Sequence, residues 1–195
     1  MTAIHPSAGG AAERSADARS VRGVARPLTS AGRLRDGTPI GVRPLTAEDR
    51  GLLLAGFSQL SSRSRRSRFL QGVSDAQFAR MLPVLLDNVD QKSHVAVVLY
   101  AAGQPIGVSR LRRYASDSNV ADLAVTVADD WQGQGVGTVL ASEVLARAGG
   151  VREIRTVVNE DNPASLRMLA RLGELRSDCA DGTCEVVVRV NCSTP

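Results

Sequence analysis

Ala121-Asp122-Leu123-Ala124-Val125-Thr126-Val127 runs straight into Ala128-Asp129-Asp130-Trp131-Gln132-Gly133-Gln134-Gly135-Val136-Gly137-Thr138. The first seven residues alternate: Leu123, Val125 and Val127 point one way, Asp122, Ala124 and Thr126 the other, as in a half-buried strand. An amphipathic stretch follows from about Gly135 to Ala148 and reads as a helix. Between them stand three glycines in five residues. A loop without Cβ atoms lets backbone N–H groups close around a ligand, and the positive end of the helix dipole favours an anion there. The segment therefore reads as a phosphate or pyrophosphate site. It is not a Walker A loop, because Gly137 is followed by Thr138 with no lysine; nor is it a dinucleotide fingerprint, because the spacing is G-x-G-x-G and not G-x-G-x-x-G. The strand also comes late, after hairpins, and does not open a βαβ unit.

Outward from this segment the pattern alternates between strands and helices. Upstream, Thr38 to Pro44 reads as a strand, and Thr46 as the cap of a helix with Glu48 and Asp49 in its first turn, running to about Ser58. Leu60 to Leu70 is a dense arginine-serine stretch, and Ser74-Asp75 opens a helix to about Asn88 that Pro83 is expected to split. His94 to Tyr100 and Pro105 to Arg113 form a hairpin across Ala-Ala-Gly. Downstream come a strand at Glu153 to Val158, a helix from Pro163 to Leu172 ended by Gly173, and a last strand at Glu185 to Val190. Asp181-Gly182, between Cys179 and Cys184, is a hairpin-turn signal. The sum is an α/β (α+β) domain: a central, mixed but mostly antiparallel sheet with helices on both faces. Residues 1 to 36 are rich in Ala, Gly, Ser and Arg and poor in large apolar side chains, and read as a disordered N-terminal arm before a domain at 37–195.

Composition narrows the function. The 195 residues suit one domain, and 43% hydrophobic residues provide for a core. Aromatics at 3% count against a nucleic-acid binder that stacks bases on rings. The net charge of +4 suits an anionic ligand or acidic partner, and Lys92 is the only lysine. No stretch approaches the roughly 20 apolar residues of a membrane helix, so no membrane partner is expected. Cys179, Cys184 and Cys192, with two histidines, give neither a CxxC pair nor a His-rich cluster; no metal and a reduced, cytoplasmic protein are the expectations.

Gln132-x-x-Gly135-x-Gly137 after a strand resembles the coenzyme A signature, Gln/Arg-x-x-Gly-x-Gly/Ala, of the GNAT N-acetyltransferase superfamily. Asn162-Pro-Ala-Ser165-Leu166-Arg167-Met168-Leu169-Ala-Arg-Leu172-Gly173 resembles that family's next helix. The likeness covers roughly residues 38 to 190. Leu60 to Leu70, with Ala121 to Gly133, further resembles the catalytic domain of bacterial Pat-type protein lysine acetyltransferases. The resemblance implies a GNAT fold, acetyl-CoA as co-substrate, and an amine acceptor on a protein or a small molecule. A coenzyme A-binding sensor without turnover is the rival of a different class.

The resemblance also implies roles. Gln132, Gly133, Gln134, Gly135, Val136, Gly137 and Thr138 would hold the pyrophosphate, chiefly through backbone donors. Val125, Thr126 and Val127 would pair with the pantetheine amides like an added strand. Asn162 and Ser165 would touch the pantetheine or nucleotide arm, although Asn162 before Pro163 also suits a helix N-cap. An amine with pKa about 10.4 must lose a proton before attack. Asp122 is the candidate base, at a position that is usually Glu in the Pat-type pattern; the shorter side chain makes room for a bridging water. Many relatives carry a tyrosine general acid where this chain has Leu169. Arg63, Arg65, Arg66 and Arg68 read either as a solvated face or as recognition of an acidic surface or of nucleotide phosphate.

Overall fold

The computed structural model describes residues 27–86 and 89–191. Eight strands form a single sheet, β1 (Thr29–Arg33), β2 (Pro39–Pro44), β3 (His94–Ala101), β4 (Gln104–Tyr114), β5 (Asp117–Val127), β6 (Glu153–Asn159), β7 (Gly173–Ala180) and β8 (Thr183–Val190), in the order β1-β2-β3-β4-β5-β6-β8-β7. Every neighbouring pair is antiparallel except β5 and β6. Five helices cover it: α1 (Arg50–Ser58), α2 (Ser62–Phe69), α3 (Asp75–Leu86), α4 (Val136–Ala148) and α5 (Pro163–Leu169).

Strand alternation sorts the core into two layers. Val95, Val97 and Leu99 of β3, with Leu111 and Leu123, pack with Leu140, Ala141 and Val144 of α4. Ala96 and Val98 face the other way and pack with Phe57 of α1 and Phe78, Leu82 and Leu86 of α3. Phe57 and Phe78 stack at 4.1 Å, and Phe69 meets both edge-on. The three phenylalanines of the chain thus concentrate in one joint between α1, α2 and α3. Gly107 lets α4 come close to the sheet: a Cβ there would lie 2.7 Å from Leu140 Cδ1 and 2.9 Å from the Thr126 carbonyl oxygen.

Four expectations are corrected. The ordered domain begins before residue 37, since β1 pairs with β2 through Thr29↔Val42 to Arg33↔Pro39. As an edge strand it needs only β2's backbone, and its small residues carry no hydrophobic pattern. The rest of the expected arm, residues 1–26, lies outside the described residues. Pro83 does not split α3, because it sits in the last turn with only Val84, Leu85 and Leu86 after it, which leaves no second helical segment to break off. The helix at 163 ends at Leu169, and Gly173 starts β7. Its role is close backbone approach, not a left-handed helix end: a Cβ would lie 1.9 Å from the Arg189 carbonyl oxygen. Cys179 and Cys184, expected to be reduced, are opposite one another across the β7–β8 hairpin and joined by a disulfide. Cys192 lies outside the described residues.

Candidate active site

The β5–β6 backbone ladder runs only through Val120↔Glu153 and Ala121↔Ile154; beyond it the two strands no longer pair backbone to backbone. The split exposes one edge of β5. Carbonyls of alternate residues share an edge, and on this one the Leu123 carbonyl accepts from Thr156 Oγ1 at 3.2 Å and that of Val127 accepts from Gln132 Nε2 at 3.2 Å. Val125 lies between them in the gap.

Two adjoining cavities fill the split. The larger, about 580 Å³, is lined by Val125, Thr126 and Val127, by the loop and first turn of α4 (Gln132, Gly133 and Gly135 to Thr138), and by Asn162 and Ser165 of the α5 cap. The smaller, about 340 Å³, is lined by Asp122, Leu123, Ala124 and Val125, by Thr156 to Val158, and by the end of α2. Ser67, Arg68, Val125, Ser165 and Met168 border both, so the two are one continuous cleft.

The loop has the shape an anion cradle needs. Gly133 and Gly135 have φ of +76° and +90°, and nothing lies within 4 Å of a Cβ built on either. α4 is 13 residues long and opens from Gly135, so its positive end is aimed at the cleft wall that these glycines form. Arg63, Arg68, Arg167 and Arg171 line the larger cavity with one acid, Asp129. The residues present therefore fit the pyrophosphate of a coenzyme A thioester. Three of the expected contact residues, Gln132, Gln134 and Asn162, also have structural partners. Gln132 spends its amide on Ser64 Oγ, Asp129 and the Val127 carbonyl. Gln134 is not part of the lining; its Nε2 turns back to the Asp130 carbonyl at 2.9 Å. Asn162 caps α5, its Oδ1 accepting from the Ser165 amide at 3.2 Å and its Nδ2 donating to Ser165 Oγ at 2.8 Å.

Asp129 carries a role that the sequence alone left unassigned. Its carboxylate accepts from the Ser61 amide at 2.7 Å, from Ser64 Oγ and from Gln132 Nε2 at 2.9 Å. Partial burial alone would raise its pKa; the hydrogen bonds from Ser64 and Ser61 outweigh that and hold it below the usual carboxylate value. One residue thus ties the start of α2 to the anion loop. Asn159 Nδ2 donates to the Arg66 carbonyl at 3.1 Å and ties α2 to β6 on the far side of the split. α2 is therefore a strap across the cleft, and its arginines divide accordingly. Arg65 is structural, bonding Asp75 at 2.6 Å and the Leu60 and Ser58 carbonyls while lying over the Phe57 ring. Arg63 and Arg68 face the cleft.

Asp122 is exposed in the smaller cavity, directly across from Arg112 of β4. Leu169, in the same lining, is buried and offers no hydroxyl. Tyr100 is not a substitute, since its hydroxyl accepts from Arg43 at 2.7 Å beside the Arg43–Asp49 pair.

The model of the acetyltransferase (GNAT) domain matches residues 40–174. The chain is 31% identical over 161 residues to acetyltransferase PA5475 of Pseudomonas aeruginosa, covering 80% of this chain and 86% of that one. It is 32% identical over 144 residues to the acetyltransferase Pat of Mycolicibacterium smegmatis, covering 72% of this chain but only 42% of Pat. Among solved structures, the GNAT domain of S. lividans PAT superposes with a TM-score of 0.71 at 24% identity, over 84% of this chain and 97% of that one. Among the described residues no helix is long and apolar enough to cross a membrane.

Proposed function

The chain belongs to the GNAT acetyltransferase family, and on that premise we propose that it transfers acetyl groups from acetyl-CoA to lysine side chains of proteins. The observation that carries the reading is the split between β5 and β6, with the glycine cradle at one end and Asp122 at the other. The likeness to the acetyltransferase Pat, the resemblance of Leu60 to Leu70 and Ala121 to Gly133 to Pat-type protein lysine acetyltransferases, and the cavity around Asp122 support a protein-borne amine as acceptor. The reading places the enzyme in the cytoplasm, alongside the acetyl-CoA pool and the proteins it would modify.

The donor supplies an activated acetyl thioester: the amine nitrogen bonds to its carbonyl carbon, the carbon–sulfur bond breaks, and the thiolate leaves. The chain supplies position and proton transfer. The amides of Gly133 to Gly137 and the end of the α4 dipole hold the pyrophosphate, with Arg63, Arg167 and Arg171 adding charge. The open edge of β5 at Val125 pairs with the pantetheine amides. Asp122 takes the proton of the incoming ammonium through a water, a step that otherwise costs roughly 4 kcal/mol at neutral pH. With Leu169 in place of a hydroxyl, solvent protonates the thiolate.

Incubation with acetyl-CoA and acceptor proteins, read by mass spectrometry and thiol release, tests this. The expected result is acetyl-lysine on the acceptor with stoichiometric thiol. Label on small amines alone would give the acceptor role to a small molecule, and tight donor binding without thiol release would make the protein a coenzyme A sensor.

A further inference from the structure

Asp122 shares its face of the sheet with more cations than it can neutralise. Arg112 is directly opposite on β4, and His94 of β3 is opposite Arg112. Arg110 is one row further, between Ala96 and Ala124, hence diagonal to both Asp122 and His94 at about 7–8 Å. Arg68, one turn after the Ser64 that bonds Asp129, borders the same cavity as Asp122 from α2. Three guanidiniums therefore surround one carboxylate.

None of the three has an acid within ion-pair distance among the described residues. Arg110 Nε donates to His94 Nε2 at 3.1 Å, and an imidazole brings it no negative counter-charge. Arg68 lies over the Phe69 ring at 4.8 Å. Burial, and then the like charge of Arg68, press Arg110 down to about 10; burial also lowers Arg68, opposed by Asp122. An arginine does not give up its proton in a protein, so this is an unmet demand for an anion. Arg43 shows the contrast: similarly enclosed, it holds Asp49 with two bonds at 2.8 and 2.7 Å.

We propose that Arg68, Arg110 and Arg112 form an acceptor-side site for a carboxylate carried next to the acceptor amine, so that the preferred lysine is one flanked by acidic residues. The inference rests on the protein-acetylating reading for the source of that carboxylate. Arg110 and Arg112 flank Asp122 on the sheet and line neither cavity, Arg63, Arg167 and Arg171 border only the donor's cavity, and Arg68 borders both, so only Arg68 is shared between the two anion demands. An acidic flank would bring the lysine amine to Asp122 with the cluster's charge met, and a neutral flank would leave the partly buried Arg68 and Arg110, and the exposed Arg112, facing an incoming fourth cation.

The probe is a pair of N-acetylated pentapeptides with central lysine, flanked on both sides by aspartate in one and by asparagine in the other, at saturating acetyl-CoA. The expected kcat/KM is about tenfold or more higher for the aspartate peptide, chiefly through KM, and the difference shrinks with salt. Arg68→Gln and Arg110→Gln should each cut the discrimination to about threefold or less. Equal kcat/KM for the two peptides in the unmodified enzyme would overturn the proposal, independently of whether the variants fold. So would full discrimination retained in both variants. If neither peptide is labelled, free lysine against lysinamide makes the same comparison: preference for free lysine supports the carboxylate site and removes the protein reading, and no label on either overturns both.

Discussion

Replacing Asp129 with asparagine leaves the shape of the α2 strap's anchor and removes its charge. The carboxylate accepts from the Ser61 amide, the Ser64 hydroxyl and the Gln132 amide. An asparagine has a single acceptor oxygen, so its NH₂ must confront at least one of these donors, and the remaining bonds become neutral. A hydrogen bond to a charged group contributes about 1.5–3 kcal/mol, and partial exposure of Asp129 places the net loss toward the low end, about 2 kcal/mol. Because the three bonds join α2 to the loop, and neither belongs to the buried core, the loss falls on strap docking more than on global unfolding. About 2 kcal/mol corresponds to roughly thirtyfold in that docking equilibrium, which is the upper limit for the loss of acetyl-CoA affinity. Calorimetric titration with acetyl-CoA, alongside a thermal melt, reads both. Affinity within about twofold of the unmodified protein, in a variant that melts normally, would refute the idea that Asp129 holds the donor cleft together.

Gly135→Glu should abolish acetyl-CoA binding in calorimetry, because φ of +90° costs a side chain about 1–2 kcal/mol and its carboxylate would enter the space left for the pyrophosphate. Asp49→Asn should lower stability by about 3 kcal/mol in denaturant titration, since it leaves Arg43 enclosed without its partner. The pH dependence has the same origin: burial would raise the Asp49 carboxyl, but Arg43 and the Thr46 amide hold it below its usual value, so its stabilisation is complete above pH about 4 and is lost as pH falls through the lower folded-state pKa, a loss that Asp49→Asn should remove from an acid melt series. Lys92 is exposed, and besides the N-terminal amine it is the only amine in the chain, so prolonged incubation with acetyl-CoA should add at most two stable acetyl groups, and Lys92→Arg should leave at most one; intact mass measurement counts them.

Local chemistry was readable where a few neighbouring residues decide the outcome. The β5 alternation holds, with Leu123, Val125 and Val127 turned to the α4 layer. The hairpin turns at Ala102-Gly103 and Asp181-Gly182 both take positive φ at both central residues, as such turns require. The glycine loop lies where its spacing implied. What was hidden depends on distant partners. Asp129 stood inside the quoted segment, yet its role comes from Ser61 and Ser64, more than sixty positions away. The Arg68, Arg110 and Arg112 cluster exists only once the register of β3, β4 and β5 is known and α2 is laid across it. β1 escaped because an edge strand can be held by backbone bonds alone, and Gly173 was misassigned because crowding against Arg189 leaves no local signature.

Asp122 is the group proposed to free the acceptor amine in a cleft loaded with acetyl-CoA. The pH profile of kcat/KM for a lysine acceptor, measured for the unmodified enzyme and for Asp122→Asn, tests it most directly. The variant should lose a factor on the order of 10² at neutral pH, keep its acetyl-CoA affinity, and recover part of its rate as pH rises and more amine is already neutral. Equal rates for the two enzymes across that range would contradict it.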